Sequence, residues 1–436
     1  MLPSRSLTEV RLIRSFSLPA ARQNVFGFDF LCLHAIGKPL PPATATTTAP
    51  PMSTHRMQSV QSPIIPIVGQ WIRETPGTIS LGQGVVRYAP PPQALEQIQA
   101  FLSQPANHLY SAVEGIPELI SAIRQKLVTD NGISLTSHQR ILATAGANLA
   151  FSNAMFAITD PGDEIILPTP FYFNHDMAIS LASCKTVGVP VDEHYQLRLE
   201  AIEAAITDRT RAIVTVSPNN PSGVIYPAED LKAVNELCRK YGMYHIHDEA
   251  YEYFAYGEQE PFSPGSIPGS EAYTISIYSL SKSYGFASWR IGYMVIPEKL
   301  FEAVRKIQDT QLICPAVISQ YAAMGALGAG KAWVKAQQQD IIAARKLMYD
   351  SLTELPFCHI PPTDGALYFL LKIDTKLPVH QLAEALVRQH QVAVIPGETF
   401  GIDNGCYVRV AFGALDRETV EVGVGRLVKG LRTLVE

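Results

Sequence analysis

Lys282 and Arg290 lie in the segment SLSKSYGFASWRIGYMV, residues 279–295, between two runs rich in β-branched residues. A lysine amine can form an imine with a carbonyl compound, and an arginine can bind a phosphate group. A loop at the end of a strand would hold both side chains near one ligand. Either residue alone is a weak signal, because most lysines are solvated and most arginines pair with carboxylates.

A carboxylate and a phenol occur together in the segment HDEAY, residues 247–251. Asp248 stands at the end of a predicted strand, where open parallel sheets bind their ligands. From there Asp248 could keep a ring nitrogen of a ligand protonated, and Tyr251 could bond a phenolate oxygen of the same ring. The plainer alternative is that Asp248 caps the turn that follows the strand.

Two more segments stand at the ends of predicted strands. SPNNPSG, residues 217–223, is by itself a turn signal, but Asn220 is fixed by the following proline and can donate to a ligand oxygen. TAGAN, residues 144–148, joins a strand to a helix, where backbone N–H groups can approach an anion. The residues at that junction are Gly146, Ala147 and Asn148.

The elements that must position these residues follow an alternating pattern from about residue 62 onward. Helical patterns alternate with short β-branched runs, which is typical of a parallel sheet covered by helices. The predicted strands span residues 141–144, 164–167, 185–189, 212–216, 244–247, 274–279 and 291–296. The predicted helices among them span residues 147–158, 197–204 and 228–241.

The pattern changes after residue 296. Long helices are predicted at residues 298–312, 318–327 and 331–352. Strands at 367–371, 392–395 and 407–411 and a helix at 417–434 follow them. We therefore expect an α/β protein with a large ligand-binding domain and a smaller α/β domain built from both ends of the chain. The expected boundaries are residues 61–95 for the N-terminal arm, 96–325 for the large domain and 326–436 for the smaller one.

The composition narrows the classes of function. The chain is 47% hydrophobic and 17% charged, as in ordinary globular proteins. A formal charge of −5 gives no basic excess, so we expect no nucleic-acid partner. No apolar run is long enough to predict a transmembrane helix, and the six cysteines have no metal-ligand spacing. We therefore expect an enzyme that acts on a small molecule and uses no metal ion.

Residues 1–60 differ from the rest of the chain. They are rich in arginine and include the low-complexity tract PPATATTTAPP, which favours a disordered leader. An upstream start before Met52 or Met57 is one alternative, and an organellar targeting segment is another. The expected location is therefore the cytoplasm, or an organelle if the leader is a targeting segment.

The segments TAGAN, PGDEIILPTPFYFNH, SPNNPSG, HDEAY, SLSKSYGFASWRIG and YVRVAFG, in this order, resemble those of the class I/II aminotransferases. These are fold type I enzymes that depend on pyridoxal 5'-phosphate. The resemblance runs from about Gln61 to the C-terminus and is nearest to the branch of kynurenine, aromatic and methionine aminotransferases. LGQGVVRYAPP departs from the kynurenine enzymes, which usually have Phe-Pro where this chain has Val85 and Val86.

The resemblance implies a role for each candidate residue. Lys282 would hold the cofactor as a Schiff base and Asp248 would pair with its ring nitrogen. The other residues expected to contact the cofactor are Asn220 and Tyr251 at the 3' oxygen, Tyr172 on the ring, and Gly146, Ala147, Asn148, Ser279 and Arg290 at the phosphate. Tyr110 would reach the phosphate of a neighbouring subunit, which implies a homodimer. Gly84 and Arg409 would contact the substrate, with Arg409 binding its carboxylate.

The reaction implied is transfer of an amino group from an L-amino acid to a 2-oxo acid. Lys282 would act as the general base after the incoming amino acid displaces it, and a buried amine beside cations has the lowered pKa that suits this task. A carbon–sulfur lyase, a decarboxylase or a cyclopropane-forming synthase on the same scaffold remains an alternative. A regulatory protein that binds the cofactor without turnover is a further one.

The donor amino acid is expected to be neutral, with an aromatic or thioether side chain. Aspartate-specific relatives place a cation opposite the distal carboxylate, since an unpaired buried charge costs several kcal/mol. By alignment with those enzymes, this chain has Cys314 and Asn148 where they have an arginine or a lysine. Aspartate aminotransferase activity stays open as the alternative, with Arg87 as a cation from another direction.

Overall fold

The computed structural model describes residues 54–435, without the side chain of His55. The strands are β1 (Ile79–Ser80), β2 (Gln139–Thr144), β3 (Glu164–Thr169), β4 (Lys185–Pro190), β5 (Thr210–Val216), β6 (Tyr244–Asp248), β7 (Thr274–Ser279), β8 (Gly292–Pro297), β9 (Cys358–His359), β10 (Tyr368–Ile373), β11 (Val392–Ala393), β12 (Ile395–Pro396) and β13 (Cys406–Ala411). The α-helices are α1 (His55–Ser59), α2 (Ile64–Glu74), α3 (Pro92–Leu102), α4 (Pro117–Asn131), α5 (Ala147–Ile158), α6 (Phe173–Leu181), α7 (Leu199–Ala204), α8 (Ala228–Tyr241), α9 (Leu280–Ser283), α10 (Phe301–Gln311), α11 (Val317–Ala336), α12 (Gln339–Thr353), α13 (Val379–His390) and α14 (Arg417–Val435).

A seven-stranded sheet forms the centre of the molecule, in the order β2-β8-β7-β6-β5-β3-β4. Strand β8 is antiparallel to its neighbours β2 and β7, and the other neighbouring pairs are parallel. Strands β7 and β8 are buried along their whole length, because helices cover both faces of such a sheet. Each strand predicted between residues 141 and 296 overlaps one strand of this sheet, so the mostly parallel α/β prediction is confirmed.

Helix α8 illustrates why the sequence folds in this way. Leu231, Val234 and Cys238 recur at helical spacing and are buried, while Glu229 and Asp230 occupy the first turn. Acidic residues there stabilise the partial positive charge of a helix N-terminus. Helices α5 and α8 begin and end where the sequence analysis predicted them.

Two smaller sheets bring distant parts of the chain together. Strands β12, β13, β10 and β9 form a four-stranded antiparallel sheet. Strand β1 pairs in parallel with β11, so Ile79 lies opposite Val392. The predicted division into a large and a small domain, with its boundaries at residues 95 and 325, remains a prediction.

Two predicted elements were wrong in detail. The strand expected at 392–395 is two strands in different sheets, because β11 pairs with β1 whereas β12 pairs with β13. The helix expected at 331–352 is interrupted: α11 is kinked at the non-helical Gly330, between the two predicted helices, and ends at Ala336, and α12 begins at Gln339. Gln338, between them, is buried and donates from Nε2 to the carbonyl of Tyr253 at 2.9 Å, so a tertiary contact fixes this break.

Residues 1–53 of the predicted leader lie outside the described residues. Within residues 54–435, no helix combines the length and the apolar character needed to span a bilayer. In the same part of the chain, no group of three or more His, Cys, Asp or Glu side chains is arranged to hold a metal ion.

Candidate functional site

A cavity of about 520 Å³ lies at the carboxyl ends of the central strands. Val216, Asp248 and Ser279 are the last residues of β5, β6 and β7, and all three line it. This is the edge where parallel sheets bind ligands. The predicted site residues that line the cavity are Gly84, Ala147, Asn148, Tyr172, Asn220, Asp248, Tyr251, Ser279, Lys282, Arg290 and Arg409.

Lys282 lies in the short helix α9, directly after β7. Ser279 begins this helix, and its Oγ accepts the backbone N–H of Ser281 at 3.2 Å. Burial, together with the nearby charges of Arg409 and Arg290, lowers the pKa of the Lys282 amine to about 8, although Asp248 opposes this shift. An amine with this pKa is partly unprotonated near neutral pH and can act as a nucleophile or a base.

An anion-binding corner lies at the N-terminus of α5. Gly146 precedes this helix with a φ of 83°, and a Cβ at this position would lie 2.4 Å from Nη2 of Arg290. Only glycine fits such a close approach in this backbone conformation. Arg290 also donates from Nη1 to Oγ of Ser281 at 3.4 Å. A helix N-terminus, a guanidinium and hydroxyl groups together suit a phosphate.

Asp248 is buried opposite this corner. Its Oδ1 accepts the backbone N–H of Ala250 at 3.0 Å, and its Oδ2 lies 3.2 Å from Nε2 of His175. The ring of His175 stacks on Phe151 with a centroid distance of 4.1 Å. His175 ends the segment PGDEIILPTPFYFNH and was missed as a site residue. Its position at the start of a helix that follows a parallel strand was the available signal.

Tyr172 occupies the end of the same segment. Its hydroxyl accepts from Nδ2 of Asn174 at 2.7 Å and donates to Oδ1 of Asn148 at 3.4 Å. Burial raises the pKa of this phenol to about 12, so it keeps its proton at neutral pH. Its ring meets the edge of the His175 ring at 5.2 Å. The predicted stacking of Tyr172 on a ligand ring stays a prediction.

Arg409 is 3% exposed and is held by two hydrogen bonds. Nη1 donates to Oδ1 of Asn220 at 2.8 Å, and Nη2 donates to the carbonyl of Gly82 at 2.9 Å. Its Nε is buried and has no hydrogen-bond partner among residues 54–435. A buried donor without a partner is costly. Nη1 and Nη2 each carry a second N–H, and these can bind a carboxylate ligand.

Asn220 and Tyr251 lie beside each other. Nδ2 of Asn220 is 3.4 Å from the Tyr251 hydroxyl, which is 2.7 Å from the hydroxyl of Tyr368. Tyr368 was missed as a site residue, because GALYFLL was interpreted only as a strand. A Cβ on Gly84 would lie 1.9 Å from the Tyr368 hydroxyl, so Gly84 is needed for this packing.

Two predicted residues do not line the cavity, and two missed ones do. Gly146 is not among the lining residues but contacts Arg290, as described above. Tyr110 lies outside the cavity lining and is 84% exposed, so its predicted contact with a second subunit stays a prediction. The missed apolar side chains Ile65 and Phe173 line the cavity next to Val85. They could not be identified from the sequence because tertiary packing brings them there.

Comparisons with known proteins agree on one family. The sequence profile described as aminotransferase class I and II matches residues 76–427. The chain is 31% identical over 393 residues to the aromatic aminotransferase ISS1 of Arabidopsis thaliana, covering 88% of this chain and 97% of that protein. It is 32% identical over 359 residues to an aspartate aminotransferase of Pyrococcus abyssi, covering 81% and 92%. A double mutant of the Thermus thermophilus aspartate aminotransferase superposes with a TM-score of 0.81 at 29% identity, covering 87% of this chain and all of that one.

Proposed function

Since this chain belongs to the aminotransferase class I and II family and is a pyridoxal-phosphate-dependent transferase, we propose that it moves the amino group of a neutral L-amino acid to a 2-oxo acid. The proposed donors are aromatic or thioether amino acids. The observation that carries this proposal is the charge of the cavity. Of the described residues that line it, the lysines and arginines are Lys282, Arg290 and Arg409 alone.

The residues present fit pyridoxal phosphate. The corner formed by Gly146, the start of α5 and Arg290 suits its phosphate, and Asp248 suits a protonated ring nitrogen. Asn220 and Tyr251 would bind the phenolate oxygen, and Lys282 would bind the carbonyl carbon. When bound, the protonated pyridine ring supplies an electron sink for the electron pair left at the substrate α carbon.

Lys282 is the proposed general base. Its lowered pKa leaves part of the amine unprotonated near neutral pH, so it could take the proton from the substrate α carbon and deliver it to the cofactor. The carboxylate of Asp248 would pair with the ring nitrogen of the cofactor and keep it protonated. His175 would hold that carboxylate in place through its Nε2.

Arg409 is the proposed ligand of the substrate α-carboxylate. Its guanidinium is fixed by Asn220 and Gly82, and the second N–H of each Nη nitrogen stays available to such a carboxylate. Arg409, Lys282 and Arg290 are thus assigned to the α-carboxylate, the proton transfer and the phosphate. Among the described residues that line the cavity, no other lysine or arginine remains to pair with a second carboxylate on the donor side chain. Ile65, Val85 and Phe173 would favour an apolar substrate side chain instead.

A second copy of the chain is the proposed partner. Leu102, Leu109 and Tyr110 are 53%, 70% and 84% exposed within one short segment. Large apolar side chains exposed so close together are typical of an interface. A homodimer with shared active sites would cover them and bring Tyr110 to the phosphate of the neighbouring subunit.

The donor proposal is tested by steady-state kinetics. The values of kcat/KM for phenylalanine, methionine, kynurenine and aspartate are compared with one saturating 2-oxo acid. We expect the best neutral donor to exceed aspartate by at least tenfold, which is about 1.4 kcal/mol of transition-state preference. A higher value for aspartate than for every neutral donor would reject the proposal. Recovery of a 2-oxo acid with the intact carbon skeleton of the donor distinguishes transamination from a lyase reaction.

A further inference from the structure

Four side chains of the cavity form a closed ring of contacts. Tyr368 and Tyr251 share a hydrogen bond of 2.7 Å between their hydroxyls, and Tyr251 accepts from Asn220 at 3.4 Å. Asn220 accepts from Nη1 of Arg409 at 2.8 Å, and Cζ of Arg409 lies 4.4 Å from the centroid of the Tyr368 ring. Tyr368 therefore contacts both the carboxylate-binding arginine and the tyrosine beside it.

Close packing around Tyr368 restricts this closed set of contacts. Tyr368 is 1% exposed and begins β10, where it lies opposite Ala411 in β13. The absence of a side chain on Gly84 leaves just enough room for the Tyr368 hydroxyl, since a Cβ there would lie 1.9 Å away. The rings of Tyr368 and Tyr251 meet edge to face with centroids 5.6 Å apart. A hydroxyl held on several sides has little freedom to choose another partner.

The donors and acceptors of this ring can be assigned. The amide Nδ2 of Asn220 can only donate, so the Tyr251 oxygen accepts from it. Burial raises the pKa of both phenols, so each keeps one hydrogen to donate. If Tyr251 gives its hydrogen to the phenolate oxygen of the cofactor, the bond between the two hydroxyls must be donated by Tyr368.

We propose that Tyr368 is a positioning residue whose hydroxyl donates to Tyr251 and thereby directs the Tyr251 hydrogen to the phenolate oxygen of the cofactor. Its ring independently supports the guanidinium plane of Arg409 through a cation–π contact. The inference rests on the proposed role of Tyr251 but not on the proposed choice of donor amino acid.

The test is a pH titration of the absorbance of the bound cofactor in the absence of any amino acid. A hydrogen bond to the phenolate oxygen stabilises its charged form and lowers the pH of the spectral transition. Tyr251→Phe should raise this pH, and Tyr368→Phe should raise it in the same direction by a smaller amount. The double variant should match Tyr251→Phe alone, because Tyr368 acts through Tyr251.

Steady-state kinetics distinguish the contribution of the Tyr368 hydroxyl from that of its aromatic ring. Tyr368→Phe keeps the ring beneath Arg409, so the KM of the amino donor should change less than threefold. Tyr368→Leu removes the ring as well, and the KM should rise by tenfold or more. The matched control is Tyr256→Phe, which removes a part-buried hydroxyl that donates to the carbonyl of Ala366 at 2.7 Å but does not line the cavity. This control should leave the spectral transition unchanged.

Two outcomes with the tyrosine variants overturn the proposal. One is an unshifted transition in Tyr368→Phe while Tyr251→Phe is shifted, and the other is additive shifts in the double variant. If Tyr368→Phe does not fold, Gly84→Ala serves as the second variant, because its methyl group would displace the Tyr368 hydroxyl and should shift the transition in the same direction. An unshifted transition in Gly84→Ala overturns the proposal. Since no amino acid is present, a preference for aspartate would reject the proposed function without affecting this result.

Discussion

Nε2 of His175 lies 3.2 Å from Oδ2 of Asp248, and both side chains are buried. An ionised carboxylate only accepts, so Nε2 carries the hydrogen and donates it. His175 belongs to α6 whereas Asp248 ends β6, so the contact fixes the carboxylate relative to a second element of the fold. The stacked ring of Phe151 limits the rotation of His175.

We expect His175→Leu to lower kcat/KM by roughly 10- to 100-fold, because a hydrogen bond to a charged group contributes about 1.5–3 kcal/mol. His175→Gln keeps an N–H donor at nearly the same distance from the backbone, so its kcat/KM should fall clearly less than that of His175→Leu. Steady-state kinetics and the dissociation constant of the cofactor measure both effects. Equal losses in the two variants would mean that the hydrogen bond is not what His175 contributes.

The buried amine of Lys282 should make the cofactor-free protein more stable at alkaline pH. Its pKa is about 8 in the folded protein instead of 10.5, so between these values the unfolded chain binds one more proton than the folded one. The free energy of unfolding therefore rises with pH between these two values. At lower pH the amine is charged in the folded protein, and its burial then costs up to about 3 kcal/mol. Lys282→Met removes this cost.

Urea unfolding of cofactor-free Lys282→Met and of the parent protein at pH 7 and pH 10 measures this effect. The variant should be the more stable one at pH 7, and its advantage should shrink by about 2–3 kcal/mol at pH 10. The control is Lys346→Met at a surface ion pair with Asp350, whose side chains are 74% and 55% exposed. A pH-independent difference for Lys282→Met would contradict the lowered pKa.

Gly146→Ala should weaken cofactor binding by tenfold or more, because the new methyl group would lie 2.4 Å from Nη2 of Arg290 and displace it. Gly162→Ala is the matched control. Gly162 has a similarly positive φ of 90°, but a Cβ there meets nothing within 4 Å. Both variants strain the backbone, by about 1–3 kcal/mol, and only the first should change the cofactor dissociation constant measured by absorbance or fluorescence. Similar affinities in the two variants would reject the anion-binding corner.

The central sheet and most site residues were predictable for the same physical reason. Buried parallel strands have short runs of β-branched residues, which the sequence shows directly. The residues at the carboxyl ends of these strands meet at one edge of the sheet. Asp248, Ser279 and Asn220 are in this position. Their types carry the chemistry, so the sequence alone indicated them.

This signal did not suffice to identify the missed residues. Tyr368 begins a strand of a different sheet, and its hydroxyl reaches Tyr251 only through tertiary packing. His175 follows Tyr172 in the chain, but its partner Asp248 is far away in sequence. The two strands at 392–396 differ in pairing partner, which no local pattern encodes. In each case the position of the residue or strand depends on a partner that is distant in sequence, and local propensity does not reveal that partner.

The homodimer is tested by sedimentation equilibrium. We expect the parent protein to sediment as a dimer and Leu109→Glu to weaken the association by at least tenfold, because a charge would be buried in an apolar contact. Tyr110→Phe should remain dimeric but bind the cofactor less tightly, since it loses only a hydroxyl. Val422→Glu, at another exposed apolar position that is 46% exposed, is the control. A fully active monomer of the parent protein would contradict the shared active site.

The donor preference should respond to a single cation placed in the cavity. Asn148 lies in the first turn of α5, lines the cavity and accepts from the Tyr172 hydroxyl at 3.4 Å. Asn148→Lys would supply the positive charge that a distal carboxylate needs, so kcat/KM for aspartate should rise at least tenfold relative to phenylalanine, about 1.4 kcal/mol. Asn148→Gln keeps a neutral amide and should leave the ratio nearly unchanged. If aspartate gains no more from the lysine than from the glutamine, the missing cation does not determine the choice of donor.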